Sequence, residues 1–365
     1  MEKIQEEKLR ILKAFNIDEQ ITAIEPFGNG HINDTLKVTN AQGETKYVLQ
    51  KINHHIFTNV EMLQNNIHVV TSHIREKLAA QGVTDLDRKV LTFLPTREGK
   101  SYFFDGESYW RLCLFIPRSK SYEEVTPELA YEAGKAFGDF QSMLADLPEN
   151  ALGETIPNFH NMEFRLKQFW EAIKANSAGR LDKVSDLVNE IERRAETMCQ
   201  QGRLYREGKL RKRVNHCDTK VNNMLFDAET DEVLCVIDLD TVMPGFVLSD
   251  IGDFIRTAAN KGAEDDQDLN RVGVNLEIFQ AYTRGYMEKA KSFLTPLEIS
   301  LLPYGGRLLT YMQTVRFLTD YLQGDTYYKI HYPEHNLVRT RAQFQLLLSL
   351  EAHADEMDHF MSQWL

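Results

Sequence analysis

Short apolar or alternating runs dominate the first third of the chain, from Ile21 to Phe115. Turns that contain Gly and Asn separate these runs, a pattern typical of β-strands joined by tight connections. The runs are "ITAIEPFGNGHINDTLKVT", "KYVLQKI", "KVLTFLP", "SYFFD" and "SYWRLCLFI". We therefore predict a mostly β segment here, preceded by an amphipathic helix in "MEKIQEEKLRILKAF".

One helix is expected to interrupt the strands, in "NVEMLQNNIHVVTSHIREKLAAQG". Its apolar side chains recur at the three- and four-residue spacing of one helix face. They are Val60, Leu63, Ile67, Val70 and Ile74. Gly82 is a natural stop for such a helix, because glycine readily adopts the left-handed backbone conformation that ends many helices.

From Pro117 onward the pattern changes to long amphipathic helices. They are predicted in "PELAYEAGKAFGDFQSMLADL", "EFRLKQFWEAIKAN", "KVSDLVNEIERRAETMCQ" and "TPLEISLLPYGGRLLTYMQTVRFLTDYLQ". Residues 212–241 are the exception, because "KRVNHCD", "NMLFD" and "EVLCVIDLD" are too short and too β-branched for helices. These patterns predict the α+β class, with a β-rich lobe over residues 1–117 and a mainly helical lobe over residues 118–365.

Composition restricts the classes of partner. The formal net charge of −12 and the pI near 5.5 argue against a nucleic-acid partner, because phosphate contacts need clustered Lys and Arg. No apolar stretch approaches the roughly 18 residues that a membrane span needs. We therefore expect a cytoplasmic protein that acts on a small molecule.

Two stretches in residues 212–241 hold the side chains that phosphoryl transfer from a nucleotide requires. Such a transfer needs an acceptor for the proton of the substrate hydroxyl and oxygen ligands for Mg²⁺ on a rigid loop. In "HCDTKVNN", Asp218 would take the proton and Asn223 would offer an amide oxygen to Mg²⁺. Asp238 of "VIDLD" would bring a carboxylate to the same ions. The alternative is that Asp218 and Asn223 form turns and that His216 is an ordinary loop histidine.

The two stretches together resemble the catalytic and metal-binding loops of the aminoglycoside phosphotransferase and choline kinase-like superfamily. The resemblance implies a two-lobed protein-kinase-like fold, with ATP and Mg²⁺ as cofactors. Asp218 is similar to the catalytic base, and Asn223 and Asp238 are similar to the Mg²⁺ ligands. Asp250 in "LSDIGDFIR" resembles the helix carboxylate that braces the catalytic loop, and His216 is expected to support the site as well.

The resemblance also implies nucleotide contacts in the N-terminal half. Gly28, Asn29 and Gly30 of "PFGNGHIND" lie between two β runs, where a loop would fold over the phosphates. Taken alone, two glycines between strands also fit an ordinary hairpin turn. Phe115 and Ile116, in "LCLFIPR", resemble the hinge whose backbone holds adenine.

The strand "KYVLQKIN" departs from the kinase pattern. Gln50 occupies the position where that pattern has a lysine, and Lys51, one residue later, points to the opposite face of the strand. Gln50 can hydrogen-bond a phosphate but brings no positive charge. Glu61 is the candidate for the acidic partner that usually pairs with the lysine.

Several further stretches resemble bacterial N-acetylhexosamine 1-kinases, over residues 21 to about 345. They include "YVLQKIN", "IDLDTVMPG", "RFLTDYLQGD" and "YPEHNLVRTRAQ". The resemblance implies N-acetylglucosamine or N-acetylgalactosamine as the sugar substrate, contacted by Asp218. The other candidate substrate contacts are His31, Asn33, Arg316 and Tyr327, although Arg316 has Asp320 one helical turn away as an alternative partner.

Two other functions stay open on the sequence alone. The first alternative is a kinase of another small hydroxyl compound, namely an aminoglycoside, choline, ethanolamine or homoserine, because one fold serves many substrates. The second alternative is a pseudokinase that binds nucleotide without turnover, and Gln50 is its only support. The sequence indicates neither the preferred epimer nor the oligomeric state.

Overall fold

Two groups of segments make up the structure, a computed structural model that describes residues 2–17, 19–28, 32–148 and 150–365. The first unit comprises Met1–Ser121, Asp146–Pro157 and Asn223–Met243, and the second comprises Tyr122–Ala145, Asn158–Asn222 and Pro244–Leu365. Each unit is therefore discontinuous along the chain. The lobe boundary predicted at residue 117 stays a prediction.

The first unit contains most of the strands. Its helices are α1 (Glu2–Leu12), α2 (Val60–Ala80) and α3 (Leu86–Lys89). Its strands are β1 (Ile21–Pro26), β2 (Asp34–Asn40), β3 (Thr45–Ile52), β4 (Phe93–Leu94), β5 (Phe103–Phe104), β6 (Tyr109–Leu114), β7 (Ser119–Lys120), β9 (Met224–Asp227) and β10 (Val233–Val236). The sheet order is β1-β2-β3-β6-β4, with β5 paired to β6, and all of these pairs are antiparallel.

Alternation along the central strands separates the two faces of this sheet. Leu49 is fully buried on one face of β3, in a cluster with side chains of α1, β2 and β6. Gln50 follows Leu49 and therefore points to the other face, directly opposite Arg111 of β6. The pairing of β3 with β6 thus places Gln50 and Arg111 together on the face of the sheet opposite the cluster that contains α1.

Helix α2 confirms the predicted helix. The Asn59 side chain caps it by accepting a hydrogen bond from the backbone N–H of Met62, and the chain turns out of it at Gly82, whose φ is +81°. All five predicted apolar positions are buried. The helix also buries Asn66, a polar residue inside the apolar stripe.

The second unit is mainly helical. Its helices are α4 (Pro127–Leu144), α5 (Met162–Ala175), α6 (Ser185–Met198), α7 (Gln200–Arg206), α8 (Val247–Thr257), α9 (Leu276–Ala290), α10 (Pro296–Gln323), α11 (His335–Ala352) and α12 (Ala354–Met361). Strand β8 (Arg213–Asn215) pairs with β11 (Met243–Gly245). No helix of the described part of the chain is long and apolar enough to cross a membrane.

The first turn of α10 anchors the strand that leads into the "HCDTKVNN" stretch. Thr295 and Glu298 form a capping box, in which each side chain bonds the backbone N–H of the other residue. The Glu298 carboxylate also binds the Arg213 guanidinium of β8 at 2.8 Å, and both side chains are buried. Burial raises the pKa of Glu298, but its bonds to Arg213 and Thr295 outweigh this and the pKa lies below the ordinary value.

The α+β class with a small antiparallel sheet and a larger helical part is confirmed. Two strand predictions need correction. Residue Lys89 of "KVLTFLP" belongs to α3, and only Phe93–Leu94 of that run is a strand. The strand predicted to reach Asp238 ends at Val236, because the chain turns into a left-handed residue and a 3₁₀ turn at Leu239–Thr241.

Candidate active site

The loop after β8 is held by backbone hydrogen bonds to Asp250 of α8. One oxygen of its carboxylate accepts the N–H of His216 at 2.9 Å, and the other accepts the N–H of Cys217 at 2.8 Å. Cys217 has a φ of 64°, an uncommon value for a residue with a side chain. Asp250 therefore fixes the backbone immediately before Asp218.

Asp250 is itself held in place by a buried glutamine. The Gln141 side chain of α4 donates to Asp250 at 2.6 Å and to Asn215 at 2.9 Å, and its oxygen accepts from the Tyr286 hydroxyl. Burial raises the pKa of Asp250 to about 6, although the nearby His216 and the donated hydrogen bonds act in the opposite direction. Sequence analysis did not assign a role to Gln141.

The Asp218 carboxylate is partly exposed and lies 2.9 Å from the Lys220 ammonium. The next backbone N–H, that of Thr219, donates to Asp253 of α8 at 3.0 Å, so α8 holds the loop on both sides of Asp218. Burial lowers the pKa of Lys220, but the charges of Asp218 and Asp253 outweigh it and the pKa lies above the ordinary value.

The two residues expected to bind Mg²⁺ are neighbours in the first unit. The backbone N–H of Ile237 donates to the carbonyl of Asn223 at 2.9 Å, which sets Asn223 beside the residue that precedes Asp238. Asp238 adopts the left-handed conformation, with φ 58° and ψ 58°. Such a conformation costs free energy outside glycine, and it is found where surrounding contacts hold a functional side chain in place.

An amide oxygen and a carboxylate fit Mg²⁺. This ion takes oxygen ligands and is usually held by one or two carboxylates together with phosphates and water. The described residues contain no group of three or more His, Cys, Asp or Glu side chains placed to share a metal ion. One carboxylate and one amide oxygen leave positions for the phosphate and water oxygens that usually complete the coordination of Mg²⁺.

One member of a buried ion pair lies within the metal loop, which we define as residues 238–242, and sequence analysis missed this pair. The Arg111 guanidinium binds both carboxylate oxygens of Asp240, at 2.5 and 3.0 Å, and the two side chains are each 3% exposed. Arg111 also donates to the Gln50 side chain at 2.9 Å. The Asn33 side chain donates to Asp240 and accepts from the Asn53 backbone at 2.8 Å, so its amide nitrogen and its amide oxygen are both hydrogen-bonded within this unit.

The residues expected around the nucleotide are only partly described. Gly28 has a φ of +77°, which a glycine adopts without strain, whereas Asn29 and Gly30 lie outside the described residues. The Phe115 ring meets the half-exposed Phe27 ring edge to face at 5.9 Å, and its backbone N–H donates to Lys46. The Ile116 side chain is buried against Leu234 and Cys235, which leaves its backbone as the part able to contact a base.

Glu61 is exposed in the first turn of α2, and no ion pair involves it among the described side chains. The helix is joined to the metal loop by a different residue. The Asn66 side chain donates to the Val242 carbonyl at 3.0 Å and to the Gly153 carbonyl at 2.7 Å. In this unit the ion pair of Arg111 with Asp240 therefore takes the place of the expected pair of a lysine with Glu61.

Comparison with known proteins identifies the family. The model of the phosphotransferase enzyme family matches residues 23–286, which is more than half of the chain. The chain belongs to this family. It is thus a phosphotransferase, and the sequence-based expectation of ATP with Mg²⁺ is confirmed at the level of the family.

Solved structures with the same fold are distant in sequence. A spectinomycin phosphotransferase in complex with ADP and spectinomycin shares 15% identity at a TM-score of 0.60, covering 96% of this chain and 98% of its own. An aminoglycoside phosphotransferase from Alicyclobacillus acidocaldarius shares 12% at 0.59, covering 98% and 94%. A choline kinase from Cryptosporidium parvum shares 12% at 0.58, covering 99% of each chain. These similarities show the fold of the phosphotransferase.

In the second unit, the predicted substrate residues Arg316 and Tyr327 lie near aromatic side chains. The Arg316 guanidinium lies over the rings of Phe159 and Tyr328, at 5.6 and 5.5 Å from their centroids, and donates to Gln313. Tyr327 is 64% exposed and meets the Tyr328 ring at 4.8 Å. The predicted residue His31 lies outside the described residues.

Arg316 does not take the helical-turn partner that the sequence offered. Asp320 instead accepts the backbone N–H groups of the loop after α10, those of Thr326, Tyr327 and Tyr328, at 2.8 to 2.9 Å. This carboxylate therefore positions the loop that carries both tyrosines. Within the described ranges, Arg316 has no ion pair with any carboxylate.

A second guanidinium, that of Arg165, and the imidazole of His160 accompany Arg316, and sequence analysis missed both. Burial, followed by repulsion from Arg316, lowers the pKa of Arg165 to about 10. Burial and the same two guanidinium groups lower the pKa of His160 to about 3, while the Asp218 carboxylate acts in the opposite direction. The Nε of Arg165 and the Nδ1 of His160 are buried and have no hydrogen-bond partner among the described atoms.

Proposed function

We propose that this phosphotransferase transfers the γ-phosphate of ATP to the anomeric hydroxyl of N-acetylglucosamine or N-acetylgalactosamine. The observation that carries the proposal is the set of three neighbouring side chains Arg165, Arg316 and His160, which we call the arginine cluster. It contains two cations without a carboxylate partner within the described part of the chain, and the Asp218 charge acts on its imidazole. Such a group favours an acceptor that brings oxygen atoms rather than positive charge.

Cationic acceptors fit this group poorly. Choline is recognised by the open faces of aromatic rings, but the Arg316 guanidinium already lies over Phe159 and Tyr328. A polycationic aminoglycoside would meet Arg165 and Arg316 as like charges, which disfavours binding. Among the hydroxyl compounds that serve as acceptors, we therefore expect this protein to use a neutral or acidic one.

A neutral N-acetylhexosamine offers hydrogen-bond acceptors that match the donors of the arginine cluster. Its hydroxyls and amide carbonyl accept hydrogen bonds, and Arg165 and Arg316 have only donors. Tyr327 adds an exposed hydroxyl that both donates and accepts. We keep His31 as a proposed contact on the strength of the sequence resemblance, whereas Asn33 is engaged by Asp240 and Asn53 and suits a positioning role better.

In the proposed reaction, the Asp218 carboxylate takes the proton from the sugar O1. The O1 oxygen forms a bond to the γ-phosphorus, the bond from that phosphorus to the β–γ bridging oxygen breaks, and ADP leaves. Mg²⁺ would be held by Asn223 and Asp238, and it supplies positive charge to the phosphate oxygens. Asp250 and Asp253 keep the Asp218 backbone in place, and no phosphoenzyme forms.

The test is to incubate the purified protein with MgATP and separate acceptors, then to locate the phosphate by ³¹P NMR and to measure ADP release with a coupled assay. The acceptors are N-acetylglucosamine, N-acetylgalactosamine, glucose, galactose, homoserine, ethanolamine, choline and kanamycin. We expect an anomeric phosphate from one or both N-acetylhexosamines. Turnover confined to choline, ethanolamine or kanamycin would refute the sugar assignment, and ATP binding without turnover of any acceptor would indicate a pseudokinase.

Substitutions in the arginine cluster make the test specific to the proposed acceptor site. Losing one charged hydrogen bond costs about 1.5–3 kcal/mol, so Arg316→Gln should raise KM for the sugar by roughly 10- to 100-fold with a smaller change in kcat. Arg341→Gln is the matched control, because Arg341 lies on α11 and pairs with Asp186 at the exposed surface. Equal KM values for Arg316→Gln and Arg341→Gln would contradict the role of Arg316.

A further inference from the structure

Arg111 provides a buried cation on a sheet whose expected lysine position is taken by Gln50. The two residues face each other across β3 and β6, and the Arg111 Nε donates to the Gln50 side chain at 2.9 Å. The rest of the guanidinium is directed at both oxygens of Asp240. The positive charge of this face is thus supplied from β6 rather than from β3.

Asp240 belongs to the metal loop, two residues after the proposed Mg²⁺ ligand. Its carboxylate receives three hydrogen bonds, two from Arg111 and one from Asn33, which is itself tied to the Asn53 backbone. A forked arginine–carboxylate contact fixes direction as well as distance. Asp240 therefore connects the metal loop rigidly to the sheet.

The other end of the metal loop is held by α2. The Val242 carbonyl accepts a hydrogen bond from Asn66 at 3.0 Å. Asp238 precedes both attachments and directly follows Ile237, whose backbone N–H donates to the Asn223 carbonyl at 2.9 Å. Its left-handed conformation, a state that persists only where surrounding contacts over-determine it, is therefore held from both sides. Because the Arg111–Asp240 pair and Asn66 hold the same short loop, they account for how Asp238 keeps this conformation.

We propose that Arg111 is a positioning residue that acts through Asp240 to orient Asp238 toward Mg²⁺ bound with ATP. The inference rests on the proposed role of Asp238 as a metal ligand. It does not depend on which hydroxyl compound accepts the phosphate. All three guanidinium nitrogens of Arg111 already donate to Gln50 or Asp240, and the side chain is only 3% exposed, so its effect is assigned to the loop rather than to direct contact with a phosphate.

The experiment compares two affinities of the full-length protein by calorimetry, without any acceptor. One is for ATP with excess Mg²⁺, and the other is for ATP in EDTA. Outer partners of metal ligands typically contribute 10- to 100-fold in metal affinity, so Arg111→Met should weaken MgATP binding by about that factor and leave metal-free ATP binding near the wild-type value. Asp240→Asn should have the same selective effect, and the double variant should lose little more than either single variant.

Arg111→Lys keeps the charge but loses the forked geometry, so an intermediate loss of MgATP affinity is expected. It also decides the outcome if Arg111→Met does not fold, since removing one member of a buried ion pair is strongly destabilising. Lys37→Met is the matched control. Lys37 forms a half-exposed ion pair with Glu25 on the same sheet, at 3.2 Å, and both affinities should stay at the wild-type values.

The possible outcomes separate the two proposals. An equal loss of both affinities in Arg111→Lys would mean that Arg111 contacts the phosphates directly, and unchanged affinities would mean that it has no part in metal binding; either result overturns the inference. If wild-type protein binds ATP equally well with and without Mg²⁺, the metal role of Asp238 fails, and the inference fails with it. A negative result with sugars would leave this measurement unaffected.

Discussion

Asp218 and Asp238 carry the same functional group in different surroundings. The Asp218 carboxylate is partly exposed, beside Lys220 and on a loop that α8 holds by its backbone. Asp238 stands in a left-handed turn next to the buried pair of Arg111 and Asp240. The first arrangement suits a group that must meet a substrate proton, and the second suits a ligand whose direction must not vary.

This difference predicts that the two carboxylates fail in different ways when each is changed to an amide. Asp218→Asn should bind MgATP with near wild-type affinity but lose about 10² to 10⁴ in turnover, because only proton transfer is removed. Asp238→Asn should lose both, because a metal ligand is removed. Calorimetry measures the binding, and a coupled ADP assay measures the turnover. Wild-type turnover in Asp218→Asn would refute its role as the base.

At the scale of elements, helix α8 organises the loop that carries Asp218. It contributes both Asp250 and Asp253, which accept backbone N–H groups on either side of Asp218. The helix lies against α10 through glycines. A Cβ atom built on Gly252 would meet the Gly305 carbonyl oxygen at 2.3 Å, and one built on Gly305 would meet the Leu248 carbonyl oxygen at 2.5 Å. The position of the two carboxylates thus depends on a backbone-to-backbone contact.

Gly252→Ala should therefore lower both stability and turnover. Overpacking typically costs about 1–3 kcal/mol, and here the atom in the way is backbone rather than a flexible side chain. Gly202→Ala in α7 is the matched control, because the nearest atom to an added Cβ is at the end of a side chain, the Glu163 carboxylate, at 3.3 Å. Replacing glycine inside a helix gains roughly 0.5–1 kcal/mol, so the control should be neutral or stabilising. Urea denaturation measures both, and equal unfolding free energies would contradict the tight contact.

At the scale of the whole molecule, the overall charge and the charge of the proposed acceptor residues have opposite signs. The chain has a formal net charge of −12, yet Arg165 and Arg316 lie close enough to repel each other, and burial together with their charges lowers the pKa of His160. An acidic surface is compatible with solubility, but it does not indicate the charge of a binding site. The local arrangement, and not the total, favours an acceptor without positive charge.

The shifted pKa of His160 predicts how acid affects the stability of the protein. Between its ordinary value near 6.5 and its folded value of about 3, the unfolded chain binds a proton that the folded chain does not. The free energy of unfolding should therefore decrease as pH falls below about 6.5, by at most about 1.4 kcal/mol per pH unit from this residue. Above that pH the contribution is constant.

His160→Asn should reduce this acid sensitivity, and urea denaturation between pH 7 and pH 4.5 measures it. His359→Asn, on the exposed side of α12, controls for the general effect of removing a histidine. If the unfolding free energies of wild type and His160→Asn differ by a constant amount over this range, His160 is protonated normally in the folded state. A pKa of His160 lowered by burial and by the charges of Arg316 and Arg165 would then be refuted.

Much of the fold followed from the sequence, because it depends on local periodicity. The stripe of apolar residues in α2 and the turn-separated strands predicted their elements, and the short β-branched runs around residues 212–241 predicted β8, β9 and β10. Errors arose where a strand is very short, as at β4, or where the chain leaves the strand early, as before Asp238. In both places contacts with other segments, rather than the local pattern, determine the backbone.

The sequence by itself determined the family, the α+β class and the types of side chain at the catalytic and metal loops, because these lie in short contiguous stretches. Only the tertiary structure decided which distant residues support them. Arg111 reaches Asp240 from 129 positions away, and Gln141 reaches Asp250 from 109. A pairing across such separations leaves no local signal, since either member alone reads as an ordinary polar residue on a strand or helix. The arginine cluster near Asp218 depends on tertiary packing for the same reason, because Arg165 and Arg316 come from two helices far apart in the chain.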